Sequence, residues 1–393
     1  MKQLFFCLVK NGCTFLRSSY WLKTYIYFPL KSAVRRRVLT VNYLLYNTRK
    51  IQEENGFSPN ESSYPTEHPW RIGIIRDVFY NHESFIAACQ DMKVAYKVVD
   101  LFASDWVEQV KQSNCDAFVT WPSECIQEWK RMYDERLRLL STHMGCFIYS
   151  PYEALWLYGC KERQRDWMDI YDFPHPRTWV FYEQQEAIEF LKTTKYPVVA
   201  KTDIGAIALG VRIVRSFREG KGLIKDVFRH GIFGCCADAN ARQWRHLLFQ
   251  EYLENVREWR IIRVGDSFFG HEKGKMGDFH SGSGLVGWFA PPKKALDLIY
   301  SITEKGGFRC LAMDVFEKPD GELLVNELQS IFGAYDTAQM YIDGKPGRYR
   351  RINGEYVFEE GRFCINACCN LRIEDLLNIL KGRKESKQKE KQS

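Results

Sequence analysis

Between residues 161 and 329 the chain sets a series of short pieces in one order, and that order constrains the fold more than any single motif. Lys161 opens Lys-Glu-Arg-Gln-Arg; Lys201 closes the apolar run of PVVAKTDIGAIALGV; FQEYLENVREWRIIRVGD follows; LAMDVFEKPDGELLVNELQS comes last. Lys201 ends a predicted strand and faces inward, where a charged amine is costly without an anionic partner. Gly205 and Gly210 just after it let backbone amides close over anionic oxygens. The chain has no GxxxxGK[ST], so these are not the pieces of a P-loop. Asp314 and Glu327 each sit in an apolar strand, on either side of a turn at Pro319-Asp320-Gly321. Carboxylates placed inside facing apolar strands need a cation. Mg²⁺ suits them, because it takes few protein carboxylates and fills its sphere with phosphate oxygens and water.

Together and in this order the pieces resemble the ATP-grasp superfamily, nearest the glutathione synthase and ribosomal-protein glutamate-ligase branch. The resemblance covers about residues 70–340. It implies that Lys161 and Lys201 contact the phosphates of ATP, with the Gly205–Gly210 loop lying over them. It implies that the backbone of Gln250, Glu251, Tyr252 and Leu253 reads the adenine edge and that Glu258 binds the ribose. Asp314, Glu327 and Gln329 are the implied Mg²⁺ ligands, with two ions expected. The family's usual third ligand is an asparagine at the Gln329 position; Gln also offers a carbonyl oxygen, one methylene further out. Asn326 would reach the site only if the strand register slipped, which period-two alternation disfavours. Arg260 matches the arginine that stabilises charge on the transferred phosphoryl group. GHEKGKMGDFHSGSG resembles the mobile loop that closes on the phosphates; Lys273 leads its candidates, with Lys275 and His280 behind. Gly282-Ser283-Gly284-Leu285-Val286-Gly287 spells GxGxxG, but it precedes Trp-Phe-Ala-Pro-Pro and not a helix, so it is not a dinucleotide site.

The flanks fix the architecture. From Trp70, WRIGIIRD, AYKVVDL, CDAFVTW and CFIYS read as strands separated by amphipathic helices. Strands alternating with helices imply a parallel sheet. The expected fold is therefore α/β (α+β): a small Rossmann-like domain over 67–150, then ATP-grasp subdomains over 151–248 and 249–340. Residues 341–380 read as hairpins with a closing helix, and 381–393 as a disordered charged tail. Residues 1–66 read as a basic, aromatic extension ending in a linker.

At 393 residues and 45% hydrophobic, the chain can bury a large core. Its 13 cysteines are odd in number and include no CxxC pair, so they read as reduced thiols in a cytoplasmic protein, not zinc ligands. The charge of +7 is unevenly placed: residues 1–50 hold 10 Lys/Arg and no Asp or Glu, and 381–393 are also basic. The body between them is net acidic, which argues against a nucleic-acid face. Basic residues interleaved with aromatics at the N-terminus suit an anionic membrane surface, at the inner face of the plasma membrane, or a helical extension packed on the body or on a second subunit. The ATP-grasp resemblance implies ATP-dependent ligation of a carboxylate to an amine or thiol through an acyl phosphate, on a cell-surface glycan precursor or a peptide. Phosphate transfer to a hydroxyl, or nucleotide-dependent regulation without catalysis, are the alternatives.

Overall fold

A computed structural model describes residues 41–123, 126–205, 210–232, 242–275, 277, 285–332 and 339–390. His280, the loop 206–209, residues 1–40 and residues 282–284 of the GxGxxG stretch lie outside the described residues.

Helix α1 (Val41–Asn55) leads into the first sheet. That sheet is parallel, in the order β2 (Ala95–Val99), β1 (Arg71–Ile75), β3 (Ala117–Val119), β4 (Ile148–Tyr149). Its crossovers are α2 (Glu83–Asp91), α3 (Trp106–Ser113) and α4 (Gln127–Arg138). Almost all of β1 is buried, as a strand covered on both faces must be. A Cβ on Gly73 would lie 2.3 Å from the Phe118 ring, so only glycine lets these strands pack. The residues expected as a linker are not loose. The Val98 amide donates to Asn60 O at 2.7 Å, and the Tyr64 hydroxyl donates to Val94 O at 2.6 Å. Residues 60–64 thus cover the exposed edge of β2, which their polarity alone did not reveal.

Two short helices follow, α5 (Tyr152–Leu157) and α6 (Lys161–Ile170). The break falls at Tyr158-Gly159-Cys160, where Gly159 has φ +72°. A small antiparallel sheet follows, in the order β5 (Thr178–Phe181), β8 (Leu247–Glu251), β6 (Val198–Lys201), β7 (Val211–Val214). Helices α7 (Gln184–Thr193) and α8 (Phe217–His230) cover one face through Leu191, Leu223, Ile224 and Val227. Helix α8 starts on a capping box: Ser216 Oγ accepts from the Glu219 amide, and Glu219 Oε2 accepts from the Arg215 amide. Alternation along β6 sends Val198 and Ala200 to the helices and Lys201 to the other face.

The large sheet runs β13 (Leu323–Gln329), β12 (Cys310–Glu317), β9 (Arg257–Val264), β10 (Ser267–Lys273), β15 (Lys345–Ile352), β14 (Met340–Ile342), with β11 (Val286–Gly287) on β10 and β16 (Glu355–Glu360) on β15. Helix α9 (Lys293–Gly306) covers one face with Ala295, Leu296, Ile299 and Ile302 against Trp259, Ile261, Met313 and Val315. The intervening residues of those strands therefore point away from α9.

Residues 341–380 do not stand apart as a closing unit. Strand β15 bonds to β10, and helix α10 (Cys369–Glu390) packs Ile373, Leu376 and Leu377 into one core with Ile72, Ile74 and Phe269. The expected disordered tail is helical as far as Glu390. Its Lys, Glu, Gln and Arg are good helix formers, and α10 is already nucleated by its buried first turns.

Candidate active site

The free face of the small sheet looks onto the α9-distal face of the large one, and the predicted residues meet between them. Lys201 is buried and donates to Asn326 Oδ1 at 2.9 Å. Burial lowers its pKa to about 8, with Lys161 pushing the same way and Glu327 opposing. Lys161, the first residue of α6, donates to Gly205 O at 3.0 Å and lies 3.9 Å from Glu327 Oε1. Gln164, one turn on, holds this helix to β13: its amide spans Leu328, donating to the carbonyl at 2.8 Å and accepting from the N–H at 2.9 Å. Gly205 and Gly210 bracket the loop. Gly210 has φ +91° and its carbonyl accepts from the Thr202 amide at 3.0 Å.

On the large sheet one cross-strand row carries the charge. His271, Arg260, Asp314 and Glu327 are direct neighbours on β10, β9, β12 and β13. Asp314 is 2% exposed and takes both Arg260 nitrogens, Nε at 2.8 Å and Nη2 at 2.9 Å, plus Lys273 Nζ at 2.9 Å. Burial alone would raise its pKa; Arg260 and Lys273 outweigh that and hold it well below the usual carboxylate range. Lys273 also pairs with buried Glu258, and Asp314 and Glu258 together keep its amine charged against burial. Gln329 Oε1 lies 3.4 Å from Arg260 Nη2.

The stretch expected to read adenine is arranged more loosely. Gln250 is buried and donates to Thr178 Oγ1 at 3.0 Å, while Glu251 is tied to Arg177. Tyr252 and Leu253 leave the end of β8 half-buried. Lys275 is exposed on the loop after β10.

The period-two argument against Asn326 is overturned. The ladder between β12 and β13 pairs Asp314 with Glu327 but Val315 with Val325, so Asn326 is the extra residue of a β-bulge. The bulge puts Asn326 on Lys201 while Glu327 keeps its place opposite Asp314. His271 was also missed, although it lies two residues before Lys273 and so shares its face. It is buried, with Trp288 at 5.5 Å between ring centroids, and burial with Arg260 nearby lowers its pKa to about 4.

The carboxylates fit a hard cation. Asp314 and Glu327 face each other in register, Gln329 and Asn326 add amide oxygens nearby, and no sulfur or imidazole is among this donor set.

No family model matches the chain. In solved structures, an N5-carboxyaminoimidazole ribonucleotide synthetase in its ADP complex aligns over 75% of this chain and 84% of its own, at 15% identity and TM-score 0.51. The biotin carboxylase domain of a Hydrogenobacter thermophilus 2-oxoglutarate carboxylase, with MgADP and bicarbonate, aligns over 67% of this chain and 65% of its own, at 15% identity and TM-score 0.51. The chain has the ATP-grasp fold. In sequence, it is similar to a phosphoribosylamine–glycine ligase of Caldanaerobacter subterraneus subsp. tengcongensis, 38% identical over 95 residues, 24% of this chain and 23% of that protein. It spans about a quarter of the length of the curated relatives it matches. Within the ATP-grasp fold, the site described above lies between the small and large antiparallel sheets.

Proposed function

We propose that this protein is an ATP-dependent carboxylate–amine ligase that works through an acyl phosphate. The observation that carries the reading is the meeting of Lys161, Lys201, Arg260 and Lys273 with Asp314 and Glu327 between the two antiparallel sheets. Four cations around a small set of carboxylates leave excess positive charge for an anion such as a triphosphate.

Lys161 and Lys201 hold the phosphates from one side. Arg260 and Lys273 face the transferred phosphoryl group from the other side. Both are engaged on Asp314 in the structure, and Lys273 on Glu258 as well, so an incoming phosphate adds a further anionic partner to each. Asp314, Glu327 and the Gln329 carbonyl would hold the Mg²⁺ that accompanies ATP, which would neutralise phosphate charge. In the reaction a carboxylate oxygen of the substrate takes the γ-phosphoryl group and ADP leaves. The amine then attacks the acyl carbon, the C–O bond to phosphate breaks, and the amine loses a proton as the amide forms. The protein contributes position and electrostatics more than covalent chemistry. The biotin carboxylase neighbour's bicarbonate and the glycine ligase relatives support a carboxylate or carbonate acceptor. A glycan-precursor or peptide carboxylate rests on the basic, aromatic N-terminus and the FPHPRTWVFY stretch at 173–182.

Hydroxylamine tests the reading. With Mg·ATP and a panel of carboxylates, the productive carboxylate should give ADP and its hydroxamate in equal amounts. ADP release with a stable phosphate ester and no hydroxamate would replace the ligase by a phosphotransferase.

A further inference from the structure

We propose that Glu162, Asp203 and His246 form a second metal site, distinct from the nucleotide's Mg²⁺ site, that takes one divalent transition ion such as Zn²⁺. The three side chains come from separate elements: the first turn of α6, the loop after β6 and the residue before β8. One ligand atom from each lies within 4.8 Å of the others. All three are acceptors when ready to ligate, yet they converge. Among the described residues the imidazole makes neither a hydrogen bond nor an ion pair to either carboxylate, while the Glu162 amide ties the two acidic residues together and Tyr182 bridges the ring and Glu162. An ion between the three ligand atoms would join the imidazole to both carboxylates directly.

The imidazole provides a second observation. His246 Nδ1 lies 3.2 Å from Trp244 O; a carbonyl only accepts, so Nδ1 carries the proton and Nε2 remains to ligate. That backbone contact is the usual outer support of a metal-bound histidine. Tyr182 stacks on the same ring at 5.5 Å and 18°, and its hydroxyl donates to Glu162 Oε1. It therefore orients two of the three ligands. Asp203 is fixed as well, with Oδ1 accepting from the Glu162 amide at 2.9 Å and the Cys160 thiol close to both oxygens. One imidazole with two carboxylates is a donor set for zinc and its neighbours, not for a thiolate site. An ion here would fasten the helix that carries Lys161 to the loop whose Asp203 carbonyl meets the Lys161 amide.

The test uses the full chain, stripped with a chelator and titrated with Zn²⁺ alone, the bound metal being counted after dialysis. The expected result is one tight equivalent on the wild type that is lost in His246→Gln and in Glu162→Gln. Co²⁺ in place of Zn²⁺ should give d–d bands without a thiolate charge-transfer band. Binding of Mg·ATP, measured on the same samples, reports separately on the active site and shows that each variant is folded. Equal tight binding in wild type and both variants, no tight equivalent on the wild type, or a thiolate band for the tight Co²⁺ would overturn the proposal.

Discussion

A lysine buried at the end of β6 is costly in the free protein, and the proposed phosphate contact would offset that cost. Burial lowers the Lys201 pKa from 10.5 to about 8. The unfolded chain then holds more protons than the folded one between those values, so this group's penalty is fully present below pH 8 and is relieved as pH rises toward 10.5. Its size is roughly 3 kcal/mol. Nucleotide binding runs the other way, because phosphates need the charged amine. Lys201→Ala should leave the protein folded but remove stabilisation by Mg·ATP, as thermal melts with and without nucleotide will show; undiminished stabilisation would refute the phosphate role. In the wild type, affinity for Mg·ATP should fall as pH rises through about 8. Glu327 is the more available metal carboxylate, since Asp314 is engaged by Arg260 and Lys273. Glu327→Gln should raise the Mg²⁺ concentration needed for half-maximal ADP release at least tenfold, about 1.4 kcal/mol. Gln329→Asn should change it little, because the carbonyl is kept.

At the scale of elements, what could be read from the sequence follows from how local the signals are. Strand β9 alternates Glu258 and Arg260 with Trp259 and Ile261, and the structure divides them between the site and helix α9 in that period. The pairing of Asp314 with Glu327 was legible from a hairpin with a clear turn. The bulge at Asn326 was not, because an extra residue breaks the period that the argument used. Gln164 was invisible for another reason: its partner, Leu328, is 164 residues away and is met through backbone atoms that leave no trace in side-chain pattern. Gln164→Leu removes three hydrogen bonds, the two to Leu328 and one to Leu157 O, and strands the two buried Leu328 backbone groups. It should cost about 2–4 kcal/mol of stability in denaturant melts. It should also raise KM for ATP, because α6 loses the tie that sets Lys161 beside Glu327. A variant as stable as wild type with unchanged KM would mean α6 is held by packing alone.

Across the whole molecule the order of elements was legible and the assembly of the ends was not. Residues 60–64 lie along β2, and α10 shares a core with β1, although both segments read as peripheral from composition. Among the described residues no helix is long and apolar enough to cross a membrane. The basic first 50 residues remain the one feature that points to a surface: they carry 10 Lys/Arg and no acid. The full chain should bind anionic vesicles and release them as the Debye length falls from about 10 Å at 0.1 M salt to about 3 Å at 1 M. Loss of that binding on deleting residues 1–40, with Mg·ATP binding kept, would place it there. Equal binding to neutral and anionic vesicles would exclude an electrostatic attachment. The central claim, that Lys201 and the Asp314–Glu327 pair form one nucleotide and metal site, is tested most directly by titration calorimetry of ATP with and without Mg²⁺ on three proteins: wild type, Lys201→Ala and Glu327→Gln. The account predicts Mg²⁺-dependent binding to the wild type, none to Lys201→Ala, and binding to Glu327→Gln that Mg²⁺ no longer strengthens. Equal, Mg²⁺-strengthened binding by all three would contradict it.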